Sequence, residues 1–167
     1  MGEKEFLDNQ FELTKDSKYR FSLMAQTLKY CGEIIHKKIK GDVERHNKKQ
    51  KVTKIDNVLA MLTVGLLYSY AFENILKAVI RKQKGSLFCG DIFKYKDHDL
   101  NNLARKTSLL FSDNESQLFK NLTVYGEWMG RYPIPLKKDQ MKIGKPEDIN
   151  LFEFNELFSR LKKESET

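Results

Sequence analysis

The stretch VLAMLTVGLLYSYAFENILKAVI, residues 58–80, decides the fold. Its apolar character is broken only at Thr63, Gly65, Ser69, Glu73, Asn74 and Lys77. A membrane span needs about 20 predominantly apolar residues, and Glu73, Asn74 and Lys77 interrupt the final turns here. The segment therefore reads as the buried central helix of a folded domain. Thr53 and Asp56 give it a weak capping pattern at the start, and Lys84-Gly85 ends it. Gly65, Ser69 and Glu73 are four apart and share one face. Two small residues there let a neighbouring helix approach and draw the Glu73 carboxylate into the packed layer. A carboxylate on such a face is costly unless it is paired. Lys77, one turn on, and Arg131, whose guanidinium suits a bidentate pair, are the expected partners. Glu73, Lys77 and Arg131 are thus expected to form a structural ion pair, and the competing role for Glu73 is general base.

On the N-terminal side, Phe21, Met24, Leu28, Cys31 and Ile35 recur at spacings of 3 and 4, so they predict a helix with one apolar face. Leu23, Thr27, Tyr30 and Ile34 widen that face. Asp16 or Ser17 is placed to cap it, and the helix is expected to lose definition near Gly41. A loop or frayed end then carries the basic cluster Lys37, Lys38, Lys40, Arg45, Lys48, Lys49, Lys51 and Lys54, opposed only by Asp42 and Glu44. This segment holds +6 of the net +7, so the rest of the chain is nearly neutral. Such a patch can take up a polyanion by releasing counterions; the other reading is a solvated lysine-rich loop. The segment has no aromatic residue on which a base could stack.

On the C-terminal side, Ser86 to Lys96 reads as a connector pinned by Leu87, Phe88, Ile92 and Phe93. A shorter helix over 98–109 follows, with Leu100, Leu103, Ala104 and Leu110 on its apolar face. Ser112 and Glu115 form a capping box for a helix bearing Leu118, Phe119, Leu122, Tyr125 and Met129, stopped by Gly130 and Pro133. Asp148 or Asn150 caps a last helix with Phe154, Leu157, Phe158 and Leu161, which is expected to pack weakly on the bundle or on a second subunit. The chain of 167 residues is long enough for one domain. The expectation is an all-α antiparallel bundle of four to five helices over 16–135, with an N-terminal tail over 1–15 and an extension with a terminal helix over 136–167.

Candidate chemistry is sparse. Cys31 and Cys89 read as reduced thiols of a cytoplasmic protein, with one disulfide as the alternative. His36, His46 and His98 form no metal-ligand pattern with them, and no metal or other cofactor is expected. The first ten residues carry Glu3, Glu5 and Asp8 and do not resemble a secretory signal. His98, at a helix start, is a candidate for acid–base work or for packing. The turn Gly130-Arg131-Tyr132-Pro133 sets a rigid donor and a phenol beside a helix end. Tyr68, Tyr70 and Trp128 read as core or interface aromatics.

Ala71-Phe72-Glu73-Asn74-Ile75-Leu76-Lys77, then His98-Asp99-Leu100-Asn101-Asn102-Leu103-Ala104, then Trp128-Met129-Gly130-Arg131-Tyr132-Pro133, resembles a group of HEPN-like helical proteins over roughly residues 56–135. An E-x-x-x-K core helix, an H-D-L helix start and a G-R-Y-P turn recur there in this order. The resemblance implies a helical bundle, often dimeric, from a superfamily associated with RNA cleavage, toxin–antitoxin pairs and antiviral defence. Its ribonucleases carry an Arg followed four to six residues later by a His. Arg20, Arg45, Arg81, Arg105, Arg131 and Arg160 all lack a histidine at that distance. The expectation is therefore a noncatalytic RNA- or partner-protein-binding module of a bacterial or phage defence system, a homodimer without membrane association. The alternatives are a divergent metal-independent ribonuclease using His98, Arg131 and Tyr132, and a structural or oligomerisation protein.

Overall fold

In the computed structural model, which describes residues 3–48, 57–90, 92–129 and 149–166, the described residues form six α-helices, one π-helical turn and a minimal hairpin. In chain order these are α1 (Glu3–Thr14), α2 (Lys18–Asn47), α3 (Asn57–Lys84), β1 (Phe88–Cys89), β2 (Ile92–Phe93), α4 (Leu100–Arg105), α5 (Asp113–Val124), the π turn Tyr125–Met129 and α6 (Leu151–Glu166). The architecture is the all-α bundle that the periodicity predicts. No helix among the described residues is long and apolar enough to cross a membrane.

The central helix is α3. Its residues Ala71, Phe72, Ile75, Leu76, Ala78, Val79 and Ile80 have no exposed surface. Asp16, just before α2, meets Arg81 near the end of α3, and Gly32 in mid-α2 meets Tyr68 in mid-α3, so the two long helices run antiparallel. A Cβ at Gly32 would lie 2.5 Å from Cε1 of the Tyr68 ring. Glycine at that position is what lets the ring lie against the α2 backbone.

This close approach selects the buried face of α2. Ser22, Ala25, Gly32, Ile39 and Asp42 are buried, with Phe21, Leu28 and Ile35 packed beside them. Met24 and Cys31, expected on the core face, are exposed, and so are Leu23, Tyr30 and Ile34. A face of small residues reaches the neighbouring helix more closely than one of large residues, and here it wins. Nor does α2 end near Gly41. It continues to Asn47, because Ile39 and Asp42 extend the buried stripe and Arg45 bonds Asp42 from one turn on. Ser17 is its cap, with its hydroxyl accepting from the Arg20 amide.

The last helix belongs to the core. Phe154, Leu157, Phe158 and Leu161 of α6 are buried. Phe72 of α3 meets Phe119, Phe154 and Phe158 edge-on at centroid distances of 5.4, 4.9 and 5.8 Å. Asn150 caps this helix, its side-chain oxygen accepting from the Phe152 and Glu153 amides; Asp148 lies outside the described residues. The Ser112–Glu115 capping box of α5 is present in both directions.

Two shorter stretches differ from expectation. The connector folds into a two-residue antiparallel hairpin, turned at Gly90 in the left-handed region (φ 57°). Leu87, Phe88 and Phe93 pin it, but Ile92 points outward. The helix expected over 98–109 is only Leu100–Arg105, capped by Asp99, and Leu110 beyond it is 90% exposed. Residues 3–14, expected as a tail, form a helix in which every residue from Glu5 to Glu12 is exposed.

Candidate functional site

Two places on the molecule carry chemistry. The first is built around Glu73, which is 7% exposed. Its Oε1 accepts from Lys77 Nζ at 2.5 Å, one turn along α3, and its Oε2 lies 2.9 Å from His98 Nδ1. The two carboxylate oxygens of Glu73 thus bridge the Lys77 ammonium and the His98 ring. His98 is 41% exposed and sits immediately before the Asp99 cap of α4.

The small residues upstream on α3 explain how Glu73 comes to be covered. The Tyr125 ring lies directly over Gly65, and Gly126 backs onto the Ser69 hydroxyl, so the π turn after α5 descends onto this face. The expected close approach therefore occurs, but to the π turn. Lys77 is additionally seated over the Phe93 ring at 5.0 Å.

The surroundings of His98 are acidic. Asp97 accepts from the Asp99 amide, Asp99 accepts from the Asn102 amide, and Glu127 stands close enough to feel both carboxylates. Burial, then Asp99 and Asp97, push the Glu127 carboxyl above its ordinary value, and His98 offsets part of this. Asp97 goes the other way: although burial raises it, hydrogen bonds from Asp99 and Asn102 and the Lys106 ammonium bring it below the ordinary value. Arg131 and Tyr132, and the side chains of Trp128 and Met129, lie outside the described residues. The sequence named Glu73 and His98 separately; their contact spans 25 residues of chain and has no local signal. Among the described residues no group of three or more His, Cys, Asp or Glu is placed to hold a metal ion, and Cys31 and Cys89 are free and exposed.

The second place is the C-terminal part of α2. Lys37, Lys38, Lys40, Arg45 and Lys48 are exposed there. At 100° per residue, Lys37, Lys40 and Lys48 fall within one arc opposite Ile35, Ile39 and Asp42, which face the core. Arg45 and Lys38 are turned to the buried Asp42, the second at 3.9 Å. No carboxylate among the described residues lies within ion-pair distance of Lys37, Lys40 or Lys48. Lys37 and Lys40 also edge a cleft of about 210 Å³ shared with Glu33, His36, Tyr68 and the start of α6 at Leu151 and Asn155. Burial and the Lys40 charge hold the His36 imidazole below its usual value, so it is neutral near pH 7 and adds nothing to the patch. Burial and the Glu33 carboxylate push the Tyr68 hydroxyl up to about 12, so it keeps its proton. Lys49, Lys51 and Lys54 lie outside the described residues.

No family model, no curated protein and no solved structure matches this chain.

Proposed function

We propose that the chain is a noncatalytic RNA-binding helical module, cytoplasmic, whose contact surface is the basic end of α2. The observation that carries this reading is the row Lys37, Lys40 and Lys48 on the outward face of one continuous helix, with no carboxylate partner among the described residues. At 1.5 Å per residue the row spans roughly 16 Å, a length over which a nucleic-acid backbone presents several phosphates. Ammonium groups fixed on a helix supply phosphate contacts without reading bases. RNA is preferred among polyanions because of the resemblance to HEPN-like proteins, which also suggests a place in a bacterial or phage defence or toxin–antitoxin system.

The second reading is a divergent ribonuclease, and the His98–Glu73 contact is what favours it, since it holds a 41% exposed imidazole through Nδ1 against a buried carboxylate. Asp97, Asp99 and Glu127 oppose it: they gather negative charge where a phosphodiester would have to approach, and Lys77 is already committed to Glu73. One experiment separates the two. Labelled RNA is incubated with the full chain at low salt, then assayed for both binding and integrity. The noncatalytic reading predicts bound, intact RNA, with binding lost in Lys37→Gln/Lys40→Gln/Lys48→Gln and kept in His98→Ala. RNA cleavage abolished by His98→Ala would establish the ribonuclease instead.

A further inference from the structure

We infer that the cleft between α2, α3 and α6 takes the base of an unpaired nucleotide of RNA, whose phosphate is held at the rim by Lys37 and Lys40. This inference rests on the RNA reading and deepens it. It names the RNA that the surface prefers: one with an unpaired nucleotide whose base carries an exocyclic amino group. The division of charge within the cleft carries the argument, cationic at the rim and neutral or anionic inside.

The basic segment itself has no surface for a base, and α3 and α6 bring one beside it. The cleft measures about 210 Å³. Clefts that hold drug-sized molecules measure about 300–1,000 Å³, so this one has room for a single planar ring system and not for a base pair. Leu151, at the start of α6, gives it an apolar wall, and Asn155, one turn on, an amide that both donates and accepts. Tyr68 comes from α3. Its ring is fixed before any ligand arrives, held between the α2 backbone at Gly32 and the Phe154 ring at a centroid distance of 4.3 Å. Its hydroxyl, with a pKa of about 12, stays protonated and presents a neutral donor. His36 is neutral as well. Its Nδ1 is covered and has no hydrogen-bond partner among the described residues, so no bond at that atom fixes the tautomer. The imidazole can therefore answer either a donor or an acceptor on a base.

Glu33 sets the polarity of the interior. One of its oxygens accepts from Lys29, and its charge is felt at the Tyr68 hydroxyl. A phosphate inside the cleft would face this carboxylate and the uncharged Tyr68 and His36. At the rim it would meet two ammonium groups with no carboxylate within ion-pair distance among the described residues. The ligand that fits is a flat, neutral, hydrogen-bonding head with an anionic group beside it, and a nucleotide has that form. An ionised carboxylate only accepts, so Glu33 selects a base that offers an amino group. Uracil presents two carbonyl oxygens on either side of its single N–H and is disfavoured. Base edges of this kind are open to a protein when the nucleotide is unpaired.

The test measures binding of the full chain, by fluorescence anisotropy at low salt, to three RNAs. They are a fully paired duplex, the same duplex with one unpaired cytidine, and the same duplex with one unpaired uridine. Cytosine and uracil share a ring and differ in the amino group, so the pair controls for the bend that an extra nucleotide introduces. Wild type is expected to bind the cytidine RNA about tenfold more tightly than the paired duplex, the equivalent of one charge-assisted hydrogen bond. The uridine RNA should stay close to the duplex. Glu33→Ala is expected to abolish the preference for cytidine over uridine, and Asn155→Ala to narrow the margin over the paired duplex. Both side chains are at least partly exposed, and thermal unfolding checks that the variants are folded. Cytidine monophosphate tests a free nucleotide as the occupant. It should bind more weakly than the cytidine RNA, because it cannot also reach Lys48. Equal affinity for the three RNAs overturns the inference and leaves the RNA reading standing, whereas no binding to any of them overturns both. A cytidine preference that survives Glu33→Ala overturns the placement of the base, and tighter binding of the free nucleotide overturns RNA as its source.

Discussion

Gly65→Ala is expected to destabilise the protein even though it improves the intrinsic helix propensity of α3. At an unobstructed helical position, replacing glycine by alanine gains about 1 kcal/mol. Here the new Cβ would lie 2.5 Å from Cγ and 2.7 Å from Cε1 of the Tyr125 ring. Carbon atoms settle about 3.5–4.0 Å apart, so the ring must retreat by roughly 1 Å. It has little room, since Tyr125 is 2% exposed and Gly126 beside it already touches Ser69. Overpacking of this kind costs about 1–3 kcal/mol. Taking the upper end, because the clash is with a rigid ring, the net loss is about 2 kcal/mol, or roughly 4–8 °C in Tm for a chain of this size. Gly41→Ala is the matched control, also within a helix but with nothing within 4 Å of the added carbon. It should gain about 0.5–1 kcal/mol. Urea unfolding of both variants should move the midpoints in opposite directions at unchanged slope. A Gly65→Ala protein as stable as wild type would refute the packing of the π turn on α3.

Glu73→Gln should cost roughly 3 kcal/mol, because it leaves the Lys77 ammonium, itself 7% exposed, without its anion. Denaturant unfolding checks this, and His98→Asn should cost clearly less, since that side chain is partly solvated. Glu127→Gln should raise Tm at neutral pH. The native carboxyl has its pKa raised, so its contribution to stability is fully present below the unfolded value and is lost as pH rises through the carboxylate range. The variant's advantage should therefore shrink towards zero on acidification, as thermal melts across pH 3–7 would show.

The legible parts of the fold were those set by local chemistry. The Ser112–Glu115 box and the Ser17 cap each satisfy backbone amides within three residues; the box was readable from the chain alone, and the cap was narrowed to Asp16 or Ser17. The face of α2 was not. Large apolar residues occur all around its N-terminal two-thirds, and hydrophobicity alone cannot show that Ala25 and Gly32 yield the closer fit to Tyr68. Gly41 and the lysines looked like a helix end, but Ile39 and Asp42 carry the buried stripe past them. At the buried carboxylate, Lys77 followed from one-turn spacing, whereas His98 is brought in by the hairpin between α3 and α4. Arg131, the other expected partner, lies outside the described residues.

The most direct test of the central claim is the salt dependence of binding to a short RNA duplex. Wild type should bind with log K falling linearly as log salt rises. In Lys37→Gln/Lys40→Gln/Lys48→Gln the slope should flatten by about one unit per lysine, with affinity reduced similarly for unrelated sequences. Lys84→Gln/Lys96→Gln/Lys120→Gln, which removes the same charge from exposed positions elsewhere, should leave most of the slope in place. No binding at low salt, or equal losses in the two triple variants, would contradict the assignment of the α2 surface.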